Sequence, residues 1–188
     1  MIRLRLVALL LAAALAPVLA GCGDRQPLQE PVSTIDGPYR LDTGDRLRVV
    51  VYDQPNLTNL YEVDQAGYVL LPLIGGVAAR GGSTDQVASR IAAKLATNFI
   101  RDPDVTVEVA EYRPFFALGE VGNPGQYPYV PGMTAETAIA VAGGFSDRAN
   151  KRIVRISRSL GGKLHEGKIA VTEPIRPGDT IYVFEGLF

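Results

Sequence analysis

Short apolar segments of strand length recur along most of this chain. Such a pattern favours a fold built on small β-sheets. In two of these segments, 46–51 and 105–110, every second residue is a leucine or a valine, which places these apolar side chains on one face. The sequence predicts strands at 46–51, 61–63, 68–70, 105–110, 115–121, 126–130, 153–156, 169–171 and 180–184. Two segments with helical spacing interrupt them, so we predict an α+β fold.

The first helix is predicted to begin at Ser83, whose hydroxyl can accept a backbone hydrogen bond while Gln86 returns one, as in a capping box. Its inward face is an apolar stripe with a spacing of four, formed by Val87, Ile91, Leu95 and Phe99. A shorter helix is predicted from Thr134 to Ala142, where two glycines end it. The segment 64–67 lies between two strands and indicates a hairpin.

Two distant segments, 41–49 and 175–183, share the pattern apolar-x-x-Gly-Asp-x-apolar-x-Val. In each, a glycine can make a turn, an aspartate can accept backbone N–H groups, and a strand follows. The residues concerned are Gly44, Asp45, Gly178 and Asp179. The repetition favours two small related units. We therefore predict two domains, 39–112 and 113–188, each with a mixed sheet and one helix.

The N-terminus has the organisation of a lipoprotein signal peptide. Arg3 and Arg5 precede an uncharged run over 6–19, which is shorter than the roughly 20 residues that a membrane-spanning helix needs. The run ends in Leu19-Ala20-Gly21-Cys22, which resembles a bacterial lipobox. We predict that residues 1–21 are removed and that Cys22 carries a diacylglycerol group. An ordinary N-terminal anchor with an incidental cysteine is the alternative.

The residues after the cleavage site support this prediction. Cys22 is the single cysteine of the chain, so it has no disulfide partner, and lipidation would protect its thiol. Residues 22–38 are polar and proline-containing, which is typical of a flexible tether. Gly23 stands where an aspartate would retain a lipoprotein in the inner membrane. We therefore expect an anchor at the periplasmic face of the outer membrane.

Composition narrows the function classes. Two of the 19 basic residues leave with the signal peptide while all 20 acidic ones stay, so the mature chain has a formal net charge of −3. Nucleic-acid binding would need a basic face, which this composition does not indicate. The remaining length suits one domain or two small ones.

Enzymatic interpretations find little support in the sequence. His165 is the single histidine, lies in the polar segment 161–167 predicted as a hairpin loop, and has no G-x-S-x-G nucleophile motif to accompany it. Asp42, Asp45 and Asp53 suggest a metal site, but aspartates at turns and strand ends more often bond to the backbone. We therefore predict no enzyme activity, no metal and no cofactor.

Two further motifs leave alternatives open. Gly119, Gly122 and Gly125 have the spacing of a phosphate loop, but they join two predicted strands instead of opening a helix, so the dinucleotide interpretation fails. Tyr127 and Tyr129 lie two residues apart and hence on one face of a strand, where they could stack on sugar rings or contact a subunit. Packing within the sheet, or a subunit contact, is the interpretation we favour over sugar binding.

An ordered set of short motifs carries a family resemblance. Over 39–112 these are Tyr39-Arg40-Leu41 with Gly44-Asp45, Gly67 with Leu71-Pro72-Leu73-Ile74-Gly75, the first helix, and Asp102-Pro103-Asp104-Val105-Thr106-Val107. This stretch resembles the N-terminal domain of bacterial polysaccharide export proteins. From 114 to 158 the pieces are Gly119-Glu120-Val121, Pro124-Gly125-Gln126-Tyr127, Thr134 and Ala142-Gly143-Gly144. That stretch is similar to the soluble-ligand-binding β-grasp domain of the same family.

The resemblance implies a periplasmic, lipid-anchored component of a capsular or exopolysaccharide export complex. Such proteins form oligomeric rings that conduct polymer towards the outer membrane. The implied partners are further copies of the chain, an inner-membrane polysaccharide co-polymerase and the polysaccharide cargo. A monomeric periplasmic polysaccharide-binding module is the alternative, and oligomeric state distinguishes the two.

Longer members of this family end in an amphipathic helix that builds a membrane pore. Here only residues 185–188 follow the last predicted strand, and four residues cannot cross a bilayer. We therefore expect a short form without that helix, and a separate outer-membrane protein that supplies the channel.

Overall fold

The computed structural model of the protein describes residues 38–160 and 162–186. The predicted signal peptide and Cys22 lie outside the described residues, as does the tether except for its last residue. The strands are β1 (Arg46–Val51), β2 (Asn59–Glu62), β3 (Tyr68–Leu71), β4 (Gly75–Ala78), β5 (Val105–Glu111), β6 (Phe115–Gly119), β7 (Gly125–Tyr127), β8 (Ala149–Leu160), β9 (Lys163–Ala170) and β10 (Thr180–Glu185). The helices are α1 (Thr84–Asn98) and α2 (Ala135–Val141). The predicted α+β fold class is confirmed.

Strand β1 is the centre of the first domain. It pairs antiparallel with β2 on one side and with β5 on the other, while β3 and β4 form a separate antiparallel pair. Helix α1 packs against β5 and β4. The alternating side chains of β1 and the stripe of α1 are buried in one core, with Leu47, Val49, Val51, Val87, Ile91 and Leu95 at its centre.

Helix α1 begins as the sequence predicts. The Ser83 hydroxyl accepts from the backbone of Gln86, and the Gln86 side chain accepts from the backbone of Ser83, so the capping box is confirmed. The predicted extension of the apolar stripe to Phe99 is wrong. Phe99 is the C-terminal cap of the helix and is 49% exposed, because the helical turn that would aim its ring at the core has already ended.

The predicted hairpin around 64–67 is only a turn. Gly67 N–H bonds to the Asp64 carbonyl at 3.0 Å, but β2 and β3 then enter different sheets. The strand β2 does not pair with β3 because it pairs with one edge of β1, whose other edge pairs with β5. The strand β3 pairs with β4 instead. A local turn signal does not specify which strands pair across it.

The second domain contains one five-stranded sheet with the order β7-β6-β10-β8-β9. Strand β10 runs parallel to β6 and antiparallel to β8. The sequence predicts a mixed sheet for each domain, but among the described residues the parallel pair lies here, and the pairs of the first domain are antiparallel. The long path from β6 to β10 through α2 and the β8–β9 hairpin permits the parallel pairing.

Helix α2 packs into the core of the second domain. Thr134 caps α2, and Ala138, Ile139 and Ala142 are fully buried, as predicted.

His165 does not lie in a loop as expected. It belongs to β9, is partly exposed, and stands opposite Arg158 of β8. The β8–β9 hairpin is longer than the two predicted strands, 153–156 and 169–171. Its exposed ends consist mostly of polar residues, which lack the alternating apolar pattern from which a strand is predicted.

Candidate functional site at the domain junction

The first Gly-Asp turn is built around a buried carboxylate. Asp45 has no exposed surface, and its Oδ2 accepts from the backbone N–H of Asp42 at 2.8 Å. The same oxygen accepts from the Tyr39 hydroxyl at 2.6 Å, and Oδ1 accepts from the backbone N–H of Arg113 at 3.1 Å. Gly44 has a φ of +88°, a conformation that glycine adopts without the penalty of a β-carbon. Both oxygens of this buried carboxylate therefore accept hydrogen bonds, at the point where the turn leads into β1.

The second Gly-Asp turn repeats this arrangement. Asp179 is also fully buried, and its Oδ2 accepts from the backbone N–H of Arg176 at 2.6 Å. Arg158 binds both carboxylate oxygens, with Nε at 2.9 Å from Oδ1 and Nη2 at 2.7 Å from Oδ2. Gly178 has a φ of +82°. A buried carboxylate needs such a partner, since an unpaired charge in a core is strongly unfavourable.

Arg113 lies in the linker between β5 and β6 and contacts both turns. Its Nη1 donates to the Tyr39 hydroxyl at 3.0 Å and lies 3.3 Å from Asp45 Oδ2. On its other side, a β-carbon at Gly178 would overlap Arg113 Nε. The next linker residue, Pro114, accepts from the Gly178 N–H at 3.0 Å. The linker thus joins the two repeated turns into one junction.

Three tyrosines line the same junction. Tyr39 and Tyr112 meet edge to face with ring centroids 5.1 Å apart, and Tyr112 and Tyr129 do so at 5.6 Å. Burial raises the pKa of Tyr39 well above its ordinary value, and the hydrogen bond to Asp45 adds to that shift. Burial also raises the pKa of Tyr129. Both hydroxyls therefore remain neutral donors at physiological pH.

The junction is open to solvent at two adjoining places. A groove of about 310 Å³ is lined by three tyrosines, by prolines and by neighbouring residues, namely Tyr39, Tyr112, Tyr129, Pro131, Gly132, Pro174, Ile175, Arg176 and Pro177. We call it the tyrosine groove. Beside it lies a cleft of about 110 Å³ whose lining includes five arginines, Arg40, Arg80, Arg113, Arg158 and Arg176. We call it the arginine cleft.

The two tyrosines singled out in the sequence have different surroundings. Tyr127 stacks on Phe115 of the second core with ring centroids 5.8 Å apart, and its hydroxyl donates to the Asn123 carbonyl at 2.5 Å. Tyr129 lies beyond the end of β7, donates to the Ile175 carbonyl at 3.3 Å and faces the junction. Tyr129 therefore belongs to the candidate site, while Tyr127 packs within its own domain.

The other candidate residues are the possible metal ligands and the glycine motif. Within 38–160 and 162–186, no group of three or more histidine, cysteine, aspartate or glutamate side chains is placed to hold a metal ion. Asp42 donates its backbone N–H to Asp45 and pairs its carboxylate with Arg80, whereas Asp53 lies at the far end of β1. Gly119 and Gly125 lie in β6 and β7, so the glycine motif joins two strands, as predicted.

Sequence reasoning found the two aspartates but missed their arginine partners. The Gly-Asp repeat is sufficient to identify Asp45 and Asp179. Nothing in the local pattern indicates Arg113 or Arg158, which lie 68 and 21 residues away along the chain. The available signal is indirect, because a buried aspartate requires a cation from somewhere in the fold.

Family comparisons match both domains in the order in which they occur. Residues 33–110 match the family described as Polysaccharide biosynthesis/export protein, and residues 115–171 match the SLBB domain. The linker that carries Arg113 lies between the two matched segments. The two matches together identify the family as that of the polysaccharide export proteins. The chain belongs to this family, which confirms the predicted resemblance.

Over the aligned segments, individual relatives are about a quarter to a third identical to the chain. The exopolysaccharide production protein ExoF of Rhizobium meliloti (strain 1021) is 35% identical over 150 residues, which cover 73% of this chain and 35% of ExoF. The EPS I polysaccharide export outer membrane protein EpsA of Ralstonia solanacearum is 31% identical, covering 78% and 48%. The polysialic acid transport protein KpsD of Escherichia coli is 25% identical, covering 77% and 28%. The chain therefore spans less than half the length of each.

Proposed function

We propose that this protein is a non-enzymatic component of an export complex for a capsular polysaccharide or exopolysaccharide. The observation that carries the proposal is the presence of both family domains, in order and joined by a short linker, in one chain. The relatives support it, since they are named for exopolysaccharide production, polysaccharide export and polysialic acid transport. No helix of residues 38–160 and 162–186 is both long and apolar enough to cross a membrane.

The proposal includes an anchor and a location. A diacylglycerol group on Cys22 would hold the chain at the periplasmic face of the outer membrane, because acyl chains contribute about 0.8 kcal/mol per buried methylene and several chains make the attachment stable. The name of EpsA as an outer membrane protein supports an envelope location. The signal-peptide pattern before Cys22 supports the anchor.

The proposal also includes an assembly. Copies of the chain would contact one another side by side through unlike surfaces, and such heterologous contacts close into a ring when the rotation between copies permits it. The ring would conduct polymer from an inner-membrane polysaccharide co-polymerase to a separate outer-membrane channel protein. A monomeric polysaccharide-binding module is the second candidate, and the grooved junction between the domains favours it. The mass of the lipidated protein in detergent distinguishes a ring from a monomer.

A deletion strain tests the export function. Removing the gene should abolish surface polysaccharide while the polymer-synthesising enzymes remain active, because the polymer then lacks its path outward. The intact gene should restore the polymer, and a Cys22→Ser gene should restore little of it if the anchor is needed. Normal surface polysaccharide in the deletion strain, with no related gene to substitute, would overturn the proposal.

A further inference from the structure

The five-stranded sheet of the second domain has one covered face and one open face. The covered face packs with α2 in the core of the domain. The alternate residues of the same strands point to the other side. Five large apolar side chains on that side are exposed, namely Phe116, Leu118, Ile153, Leu164 and Tyr182. A sheet with one solvated face usually places polar residues there, so an apolar patch of this kind indicates an interaction surface.

The register of the strands makes the patch continuous. Tyr182 of β10 lies opposite Leu118 of β6 on one side and opposite Arg155 of β8 on the other. Arg155 in turn lies opposite Lys168 of β9, and Phe116 precedes Leu118 on the same face of β6. We call this surface the open sheet face. It consists of the five exposed apolar side chains together with Arg155, Lys168 and Phe184.

Two cations lie on the aromatic rings of the open sheet face. The Arg155 guanidinium is 4.8 Å from the centroid of the Tyr182 ring, and the Lys168 ammonium is 5.5 Å from that of Phe184. Both cations are exposed, and the neighbouring acid on this side of the sheet is Glu166. Because the cations already occupy ring surface on which a sugar would stack, the face suits a partner surface that is apolar and acidic.

The opposite side of the same domain presents a surface of that kind. The outward residues of α2 are all exposed, and they are Glu136, Thr137, Ala140 and Val141. The helix contains no lysine or arginine. Beside it lies the half-buried Glu173, whose carbonyl accepts from the Ala135 N–H at 3.0 Å. We call the four outward residues of α2 and Glu173 the helix surface.

The positions of the two surfaces determine how they can meet. The core of the domain separates them, so one copy cannot bring its own two surfaces together. A contact between them joins two copies through unlike surfaces and leaves one surface of each copy available for the next. Such heterologous contacts repeat from copy to copy and form a ring when the rotation closes. A helix packed on a sheet is also a common layer arrangement within domains.

We propose that the open sheet face of one copy binds the helix surface of the next copy. Apolar side chains form the centre of the contact, and the cations Arg155 and Lys168 face the glutamates Glu136 and Glu173. This inference rests on the proposed function and deepens it, because it names the two surfaces that assemble the ring.

Charged substitutions on the two surfaces test the inference. Leu118→Glu adds an acid opposite the acidic helix surface, and Val141→Arg adds a cation opposite the cations of the sheet face. Each should raise the dissociation constant of the contact at least about tenfold, because like charges in an interface repel. Leu60→Glu and Val50→Arg make the same changes at exposed strand positions of the first domain and should assemble as the original protein does.

The measurement is sedimentation of the full lipidated protein, with detergent micelles in molar excess over protein. We expect oligomers for the original protein and the two controls, and monomers for Leu118→Glu and for Val141→Arg alone. An equal mixture of these two variants should associate again, because the intact helix surface of one meets the intact sheet face of the other. The recovered association also shows that both variants are folded.

Three results would overturn the inference. The first is an original protein that sediments as a monomer. The second is a contact of one sheet face with another, in which Val141→Arg still associates and the mixture gains nothing. The third is an unchanged mass in Leu118→Glu together with loss of its binding to an oligosaccharide of glucose or of uronic acids, which would make the face a sugar platform.

Export assays separate this inference from the proposed function. If the deletion strain lacks surface polymer while Leu118→Glu and Val141→Arg each restore it fully, the inference is wrong and the export function stands. If the deletion strain keeps its polymer, with no related gene to substitute, the export function itself is wrong. Lost export in these two variants, with normal export in Leu60→Glu and Val50→Arg, supports both.

Discussion

The two Gly-Asp turns bury the same acid in the same local geometry but pair it differently. In both, the carboxylate accepts the backbone N–H three residues earlier, from Asp42 at 2.8 Å and from Arg176 at 2.6 Å. Arg158 then binds Asp179 through two hydrogen bonds and is 7% exposed. Arg113 reaches Asp45 at 3.3 Å and is 18% exposed.

The origin of each arginine explains the difference. Arg158 comes from β8, the direct neighbour of the strand that follows Asp179, so its ion pair lies within one sheet. Arg113 comes from the linker between the domains and is shared with the hydroxyl of Tyr39. The ion pair of the second turn therefore lies within its own domain, whereas the ion pair of the first turn depends on how the two domains meet.

The largest expected effect follows from this contrast. Arg158→Met should lower the free energy of unfolding by about 3–5 kcal/mol, because it leaves the buried Asp179 without its cation. Arg113→Met should cost only about 1–3 kcal/mol, because Asp45 keeps the Tyr39 hydroxyl and two backbone N–H groups. Urea unfolding followed by tyrosine fluorescence measures both.

Arg152→Met is the matched control for this pair. It removes a guanidinium from an exposed position of the same strand as Arg158 and should change stability by less than about 0.5 kcal/mol. Equal losses for Arg158→Met and Arg113→Met would contradict the distinction between a turn held within its sheet and a turn held at the junction.

The parts of the fold that the sequence predicts are those set by local signals. The capping box at Ser83 and the stripe of Val87, Ile91 and Leu95 are confirmed because helix contacts repeat within a few residues. The predicted hairpin at 64–67 is wrong because strand pairing depends on distant partners. The loop predicted around His165 is wrong because the polar end of β9 has no apolar period.

The candidate site shows the same division. The Gly-Asp repeat is local, so Asp45 and Asp179 are visible in the sequence. The arginine cleft is not, because Arg40, Arg113 and Arg176 meet only when two domains and their linker fold together. A sequence with 19 basic residues offers no means of choosing those that converge.

The two turn glycines offer a sharper and smaller test of the comparison. Both have positive φ angles, +88° at Gly44 and +82° at Gly178, so an alanine at either position strains the backbone by about 1–3 kcal/mol. Gly178→Ala should cost more than Gly44→Ala, because its β-carbon would also overlap Arg113 Nε, whereas at Gly44 the nearest atom, Arg113 Cβ, is 3.7 Å away. Thermal unfolding of the two variants measures the order.

Gly76→Ala is the control for this series. Gly76 does not have a positive φ, and a β-carbon there would meet its nearest neighbour at an ordinary 3.5 Å. A melting temperature lowered as much as in Gly178→Ala would show that the turn geometry is not the cause. The reverse order, with Gly44→Ala the more damaging, would mean that Arg113 moves aside freely at the second turn.

The smallest expected effect is a pH dependence that belongs to the first turn. Burial, together with the hydrogen bond to Asp45, raises the pKa of Tyr39, so the folded protein keeps this proton where the unfolded chain loses it, above about pH 10. Unfolding then releases a proton, and the linkage relation makes stability fall as pH rises through that window and leaves it unaffected below. Tyr39→Phe should reduce the slope by at most about 1.4 kcal/mol per pH unit.

Part of the slope should survive in Tyr39→Phe, because burial also raises the pKa of Tyr61 and Tyr129. Tyr52→Phe is the control, since that side chain is 73% exposed and its replacement should leave the slope unchanged. Urea unfolding between pH 8 and pH 11 gives the slopes, in the range about the ordinary tyrosine pKa of roughly 10. If the pH dependence of the free energy of unfolding has the same slope in Tyr39→Phe as in Tyr52→Phe, the contact between Tyr39 and Asp45 does not contribute to that dependence. The first turn would then resemble the second turn, in which an arginine and no tyrosine binds the aspartate, and the tyrosine would not distinguish the two turns.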